Sequence, residues 1–161
     1  MSEGRPVSQS RVEMTHIVMP NDANPLGTVF GGRVMEWVDI CGAIAAQRHC
    51  RTPVVLAGLD SMSFYHPIQV GHIAMLWASV NFVSNTSLEV GVKVVSENPL
   101  TGERKHTSSA YLTYVSLDAQ GKRQHVAPLI AETDEERRRF ADGNRRRHLR
   151  LATRPQAESP R

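Results

Sequence analysis

The chain has 161 residues, 40% of them apolar and 22% charged, enough for one globular domain with a real core and short for two. Its formal charge of +3 raises a polyanionic partner, but the charge is uneven: residues 1–142 carry 13 basic against 15 acidic side chains, and residues 143–161 carry 6 against 1. The basicity belongs to the C-terminal tail, and neither a nucleic acid nor a membrane is expected as a partner of the body. The longest apolar stretch, Val34 to Ala46, contains Glu36 and Asp39 and falls short of the roughly 20 residues of a membrane span. The N-terminus MSEGRPVSQS has no apolar run behind a basic start, so no secretory signal is read and a cytoplasmic location is expected. Cys41 and Cys50 cannot staple a fold or hold a zinc ion by themselves, and reduced thiols are expected.

Residues 1–10 are polar and read as a flexible N-terminus. Arg11 to Met19 alternates Val12, Met14, His16 and Val18 with Arg11, Glu13, Thr15 and Ile17, which predicts a first strand. Pro20 to Gly27 is dense in breakers and predicts a loop. From Gly32 to Cys50 apolar residues fall around almost the whole circumference of a helix, so that helix is expected to be buried, and Thr52-Pro53 closes it. Four extended runs follow: Val54 to Tyr65, Ile73 to Ser84, Ser87 to Glu97 and Arg104 to Leu117. In the third, Leu88, Val90, Val92 and Val94 share one face and Glu89, Gly91 and Lys93 the other, so one face of the sheet is expected to be buried. Asn85-Thr86 and Asn98 to Gly102 are short connections that make their flanking strands antiparallel neighbours. The order fits an α+β domain over residues 11–130, an antiparallel sheet wrapped around one central helix. Residues 131–147 read as a charged C-terminal helix capped by Thr133, with Asp134, Glu135 and Glu136 in its first turn. Residues 148–161 read as a disordered basic tail.

The seven histidines form no HxxxH or HExxH pattern, so no metal is expected, and the GxSxG, P-loop and GxGxxG patterns are absent. What stands out is Asn24 to Gly32 leading into a helix that carries Asp39. A glycine pair at a helix N-terminus leaves bare N–H groups where an oxyanion can sit; the plain alternative is that Gly31 and Gly32 only allow close packing. Asp39, between Val38 and Ile40, needs a perturbed proton affinity or a dedicated partner, and either suits a general base or nucleophile. Glu36, one turn earlier, is the other candidate for the buried acid, and both would sit at ease on a solvated strip. Asn24, before Pro25, is by default a turn former. Gly31 and Asp39 are separated by about 12 Å of helix. If they serve one reaction centre, two antiparallel helices from two protomers must lie side by side, which gives a two-fold dimer with two sites.

The stretch NPLGTVFGGRVMEWVDICGAIAA, Asn24 to Ala46, resembles the signature of the hot-dog-fold acyl-CoA thioesterases, the family of the cytosolic brain-type acyl-CoA hydrolases and their short single-domain bacterial relatives. FVSNTSLEVGVKVVSENPLTGERKHTSSAYLTYVSLD, Phe82 to Asp118, is similar to the family's strand–hairpin–strand block, and Glu135 to Phe140 to its C-terminal helix. The resemblance spans about residues 11–147. It implies homodimers whose sheets join, trimers of such dimers forming a hexamer, and hydrolysis of an acyl-CoA thioester to a carboxylic acid and CoA. CoA is then substrate and product, and no cofactor is expected. By the same resemblance Asn24 of one protomer and Asp39 of its partner are catalytic. The Gly31 and Gly32 N–H groups polarise the thioester carbonyl, Asn24 orients substrate or water, and Asp39 activates water or attacks directly.

The family's CoA-binding region falls here on Asn85, Thr86, Ser87, Arg104, Lys105, Thr107 and Ser108, with Arg138 as a further phosphate partner, a polar and basic set suited to the phosphates. The eukaryotic relatives carry two such domains and this chain one, so its sites must come from two identical chains. Two other functions compete with this one: an acyl-CoA-binding module without turnover, against which Asn24 and Asp39 together argue, and nucleic-acid binding through the Arg-rich tail, which lacks interleaved aromatics.

Overall fold

The computed structural model describes residues 2–155. In chain order the elements are β1 (Arg5–Pro6), a 3-10 turn at Val7–Ser10, β2 (Val12–Ile17), a second 3-10 turn at Pro20–Asp22, α1 (Gly31–Cys50), β3 (Val54–Leu59), β4 (Ile73–Val83), β5 (Ser87–Glu97), β6 (Arg104–Ser116), β7 (Leu129–Ile130) and α2 (Asp134–Thr153). Five strands form one antiparallel sheet in the order β2-β4-β5-β6-β3, while β1 and β7 pair in parallel. The expected α+β hot-dog arrangement is thus what the chain adopts, with β4, β5 and β6 as a hairpin meander. The run expected over Val54 to Tyr65 stops at Leu59, after a bulge between Leu56 and Gly58, and β3 lies beyond β6 at the sheet edge.

α1 ends where Arg51 turns left-handed, φ 59°, with its N–H on the Gln47 carbonyl at 2.7 Å, and Pro53 forbids another turn. Its residues Val34, Trp37, Val38, Cys41, Ala45 and Ala46 pack into the core with Leu76, Leu88, Val90, Val92, Val94 and Leu112 of the sheet. His16 of β2 stacks on Trp37 with ring centroids 4.6 Å apart. Burial pushes the pKa of both cysteine thiols, Cys41 and Cys50, up to about 11, and both are free thiols. The helix is not covered all round, however: Met35 and Ile40 are each 44% exposed. The sheet of one chain ends at β3, whose Val55 and Leu56 are also left half exposed, so one side of α1 stays open.

The other sheet face is not left to solvent, as a one-face-buried sheet would be. α2 crosses it, started by the expected capping box in which Thr133 Oγ1 accepts from Glu136 N at 3.1 Å and Glu136 Oε2 accepts from Thr133 N at 3.2 Å. Gly143 comes so close that a Cβ there would lie 2.7 Å from Cβ of Phe82. Glu89, on the outward face of β5, is 1% exposed. Arg146 clamps it through Nη2–Oε1 at 2.7 Å and Nε–Oε2 at 3.0 Å, with its guanidinium 3.6 Å from the Tyr111 ring centroid. The helix continues past residue 147 to Thr153, and Arg150 Nη1 reaches Asp60 Oδ2 at 3.0 Å. The stretch 148–153 is therefore ordered helix, because Arg150 meets the Asp60 carboxylate and comes within 3.7 Å of buried Glu89; residues 156–161 of the expected tail lie outside the described residues.

The N-terminus is likewise tied down. β1 pairs with β7, Val7 and Ser10 are buried, and Ser10 Oγ accepts from Val80 N at 3.0 Å. A two-residue strand carries no periodicity, which is why the sequence reads as loose there. His49 closes the same corner: it is fully buried, its Nε2 lies 2.8 Å from the Ala127 carbonyl oxygen and its Nδ1 has no partner.

Removing Arg146 leaves buried Glu89 with only the Asn81 amide at 3.2 Å and Arg150 at 3.7 Å, so Arg146→Met should cost about 3 kcal/mol in urea unfolding, and adding Glu89→Leu should recover most of it. Burial holds the pKa of His49 below its ordinary 6.5. The stability linked to its neutral form is complete above that value and lost as pH falls through the lower folded one. Between about pH 7.5 and about pH 5 the melting temperature should therefore drop more steeply in the parent than in His49→Asn; parallel slopes would refute this role.

Candidate active site

The loop before α1 is built by its own backbone. Asn24 N and O close a turn with Thr28 O and Gly27 N at 2.8 and 3.0 Å, Gly27 has φ +79°, and Val29 N binds Ile68 O at 2.8 Å. Asn24 behaves here as the turn former its place before Pro25 suggests. Its Oδ1 accepts from Leu26 N at 2.9 Å and Thr28 N at 3.2 Å, and its Nδ2 donates to Thr28 Oγ1 at 2.9 Å. Phe30 caps the helix without a side-chain bond, and among the described residues the Gly31 and Gly32 N–H groups have no acceptor. Close packing does not explain the pair. A Cβ on Gly31 would make only ordinary contact, 3.6 Å from the Phe64 ring, and one on Gly32 would meet nothing within 4 Å. The glycines leave open space over two free donors at the positive end of a 20-residue helix.

Of the two acids on α1, Glu36 is the solvated one: it is exposed and pairs with Arg33 at 2.9 Å. Asp39 is half-buried and has the dedicated partner that its setting requires. The Tyr114 phenol, from the inward face of β6, lies 2.9 Å from both Asp39 Oδ1 and the Asp39 carbonyl oxygen. Tyr114 was not among the residues singled out in the sequence; the available signal was a tyrosine in register with inward-facing Ala110 and Leu112.

The residues expected to hold CoA do not form one group. β5 pairs Ser87 with Val115 at one end and Glu97 with Arg104 at the other, so Asn85, Thr86 and Ser87 are separated from Arg104 and Lys105 by about 33 Å of strand. At the far end Arg104 is bound to Glu97 at 2.6 Å. Thr107 and Ser108 are buried, with Ser108 Oγ donating to Ser63 O at 2.8 Å. Arg138 lines a different cleft, about 590 Å³, on the outer sheet face beside Trp77, Lys93 and Tyr111. Asn85, Thr86 and Ser87 instead share a cleft of about 560 Å³ with Arg123, Arg147, Arg150 and Arg154. Among the described residues Arg123, Arg147 and Arg154 have no acidic partner within 4.0 Å. Of the cleft's basic residues, Arg150 and Arg154 fall in the stretch expected to be a disordered tail, and the length of α2 brings them here. The cleft also touches Thr113 and Val115, the outward neighbours of Tyr114, so it lies across the sheet from Asp39.

A family profile described as the thioesterase superfamily matches residues 26–103. The uncharacterised acyl-CoA thioester hydrolase YkhA of Bacillus subtilis is 40% identical over 83% of this chain and 78% of its own. The cytosolic acyl coenzyme A thioester hydrolase of Mus musculus is 36% identical over 89% of this chain but 38% of that protein, so the chain spans well under half of that relative. Among solved structures, an acyl-CoA hydrolase from Bacillus cereus superposes with a TM-score of 0.88 at 33% identity, over 93% of each chain. One from Staphylococcus aureus, in complex with butyryl coenzyme A, coenzyme A and coenzyme A disulfide, gives 0.86 at 33% identity over 93% of this chain and 92% of that one. Variants of that enzyme place alanine at an aspartate and at an asparagine, and those two positions are as far apart in its chain as Asp39 and Asn24 are here. By sequence and by fold, the chain belongs to the thioesterase superfamily, among its hot-dog acyl-CoA thioester hydrolases.

Proposed function

We propose that the protein hydrolyses acyl-CoA thioesters to free acid and CoA at two equivalent sites, each shared between two protomers. The observation that carries this is the stripe along α1: free N–H groups at Gly31-Gly32, exposed Met35, then Asp39 with its phenol partner. Gly32, Met35 and Asp39 share one helix face, and their ends are too far apart to meet on one substrate within a chain. Two antiparallel copies of α1 bring each Asp39 to the other's N-terminus and cover Met35 and Ile40. Pairing of the two β3 edges, with Val55 and Leu56 beside them, continues the sheet and buries an edge that would otherwise stay open.

In this reading the thioester carbonyl oxygen sits on the partner's Gly31 and Gly32 N–H groups. Asp39 takes a proton from water as the water oxygen bonds to the carbonyl carbon, the C–S bond then breaks and that proton passes to the CoA sulfur; or the Asp39 oxygen makes the bond itself, the C–S bond breaks to give a mixed anhydride, and water then opens the anhydride, its oxygen going to the free acid and its proton to the thiolate. Asn24 shapes the loop that presents the donors and has an amide N–H left for substrate or water. The CoA phosphates are assigned to the cleft of Asn85, Thr86 and Ser87, where Arg147, Arg154 and Arg123 supply uncommitted charge. The pantetheine arm then turns over the end of the β4–β5 hairpin to reach Asp39 on the inner face. Hexameric thioesterases are among the related structures, and a trimer of such dimers is the assembly we assign here. A cytoplasmic location is the matching assignment; no described helix is long and apolar enough to cross a membrane.

Thiol release from acyl-CoAs tests the catalytic assignment: Asp39→Ala should lose at least ~100-fold in kcat, and acyl-CoA binding without release by the parent would favour a binding module instead. Co-expressing Asn24→Ala and Asp39→Ala chains should restore about a quarter of parent activity if sites are shared across a two-fold axis, and none if each chain has its own. Arg147→Ala with Arg154→Ala should raise KM about tenfold with kcat unchanged, increasingly masked by salt.

A further inference from the structure

We propose that Tyr114 is the positioning residue for Asp39: its phenol holds one carboxylate oxygen, Oδ1, and thereby makes Oδ2 the oxygen that acts. This rests on the reading of Asp39 as the catalytic carboxylate. Tyr114 is 1% exposed and sits in β6 between Leu88 of β5 and Leu56 of β3. A buried phenol needs a partner, and both acceptors it finds, at 2.9 Å each, belong to Asp39. The hydroxyl's single proton is shared between them, a bifurcated bond that links the carboxylate to its own backbone carbonyl and restricts the side-chain rotamer. Among the described residues no donor reaches Oδ2.

The contact is built from both sides. Gly42, one turn after Asp39, stands in the middle of α1, where glycine is a poor helix former. A Cβ at that position would lie 2.6 Å from Tyr114 Oη and 3.2 Å from Cε2. Any other residue would push the phenol off the helix, so the glycine is the opening through which the phenol reaches the carboxylate. Burial, joined by the negative charge of Asp39, pushes the phenol's pKa well above its usual range. The group therefore remains a protonated donor throughout the pH range in which a thioesterase is assayed. A donor on Oδ1 restricts the geometry from which Oδ2 can take a proton or attack.

Tyr114→Phe keeps the ring and deletes the donor. The expected result is a fall of about tenfold in kcat with KM within about twofold of the parent. Uniform 3-fluorotyrosine, a stronger phenol donor in an unaltered core, should shift the infrared carboxylate band of Asp39 the opposite way from Tyr114→Phe, and should fail to do so in a Tyr114→Phe background. A role limited to packing would lower the melting temperature and leave kcat unchanged. A readout independent of turnover is the infrared carboxylate band defined by the difference between parent and Asp39→Ala, which should shift when Tyr114→Phe or Gly42→Ala breaks the hydrogen bond. An unchanged kcat in Tyr114→Phe, with an unmoved band there and in the fluorotyrosine protein, overturns the proposal and leaves Asp39 as the catalytic carboxylate. Full activity in Asp39→Ala overturns the assignment of Asp39 instead, and with it the catalytic meaning of the contact.

Discussion

The burial of α1 against a single curved sheet governs the rest of the molecule. Small residues, Ala45, Ala46, Cys41 and Gly42, let the helix lie close to the strands, while Trp37 and Val38 fill the space toward β2 and β4. That closeness brings the inward side chains of β6, Tyr114 among them, within hydrogen-bonding reach of the helix backbone. It also sets the helix N-terminus at the sheet's open end, with its first donors unoccupied. Because one sheet has only one concave side, the apolar stripe of Met35 and Ile40 on the opposite side is left over. The composite site and the demand for a second chain thus share one origin.

α2 solves the converse problem on the convex side. There the floor is polar, with Asn81 and Glu89 buried on it, so the covering helix must supply charge as well as apolar contact. Phe140 meets Phe82 edge-on with centroids 4.9 Å apart, and Arg146 and Arg150 answer Glu89 and Asp60. Arg146 and Arg150 thus anchor the helix, while Arg147 and Arg154 line the cleft near Asn85.

What the sequence discloses depends on whether a signal is periodic and local. The alternation of Leu88 to Val94, the turn at Asn85-Thr86, the apolar helix before Pro53 and the capping box at Thr133 are all readable because each is settled within a dozen residues. The two-residue β1 and β7, the early end of β3 and the course of α2 past residue 147 depend on partners far along the chain, Leu129, Tyr111 and Asp60 among them. The same holds for the site. Asp39 and the glycine pair stand out in the sequence, whereas Tyr114 needs a strand-to-helix contact across 75 positions. Resemblance alone grouped Ser87 with Arg104; only the antiparallel register shows that one strand holds them at opposite ends.

Gly42 and Gly143 limit how this protein can adapt to heat. Each lies inside a long helix, where exchange for alanine ordinarily adds about 1 kcal/mol of helix propensity. At Gly42 the new methyl would occupy the place of the Tyr114 hydroxyl, and at Gly143 it would strike Phe82 and crowd the Glu89 carboxylate. The commonest route to a more rigid helix is thus closed in both helices, at one by the carboxylate's partner and at the other by the floor that α2 rests on. Thermal adaptation in this lineage is then directed to surfaces between chains and to the ends of α2, away from the middle of either helix.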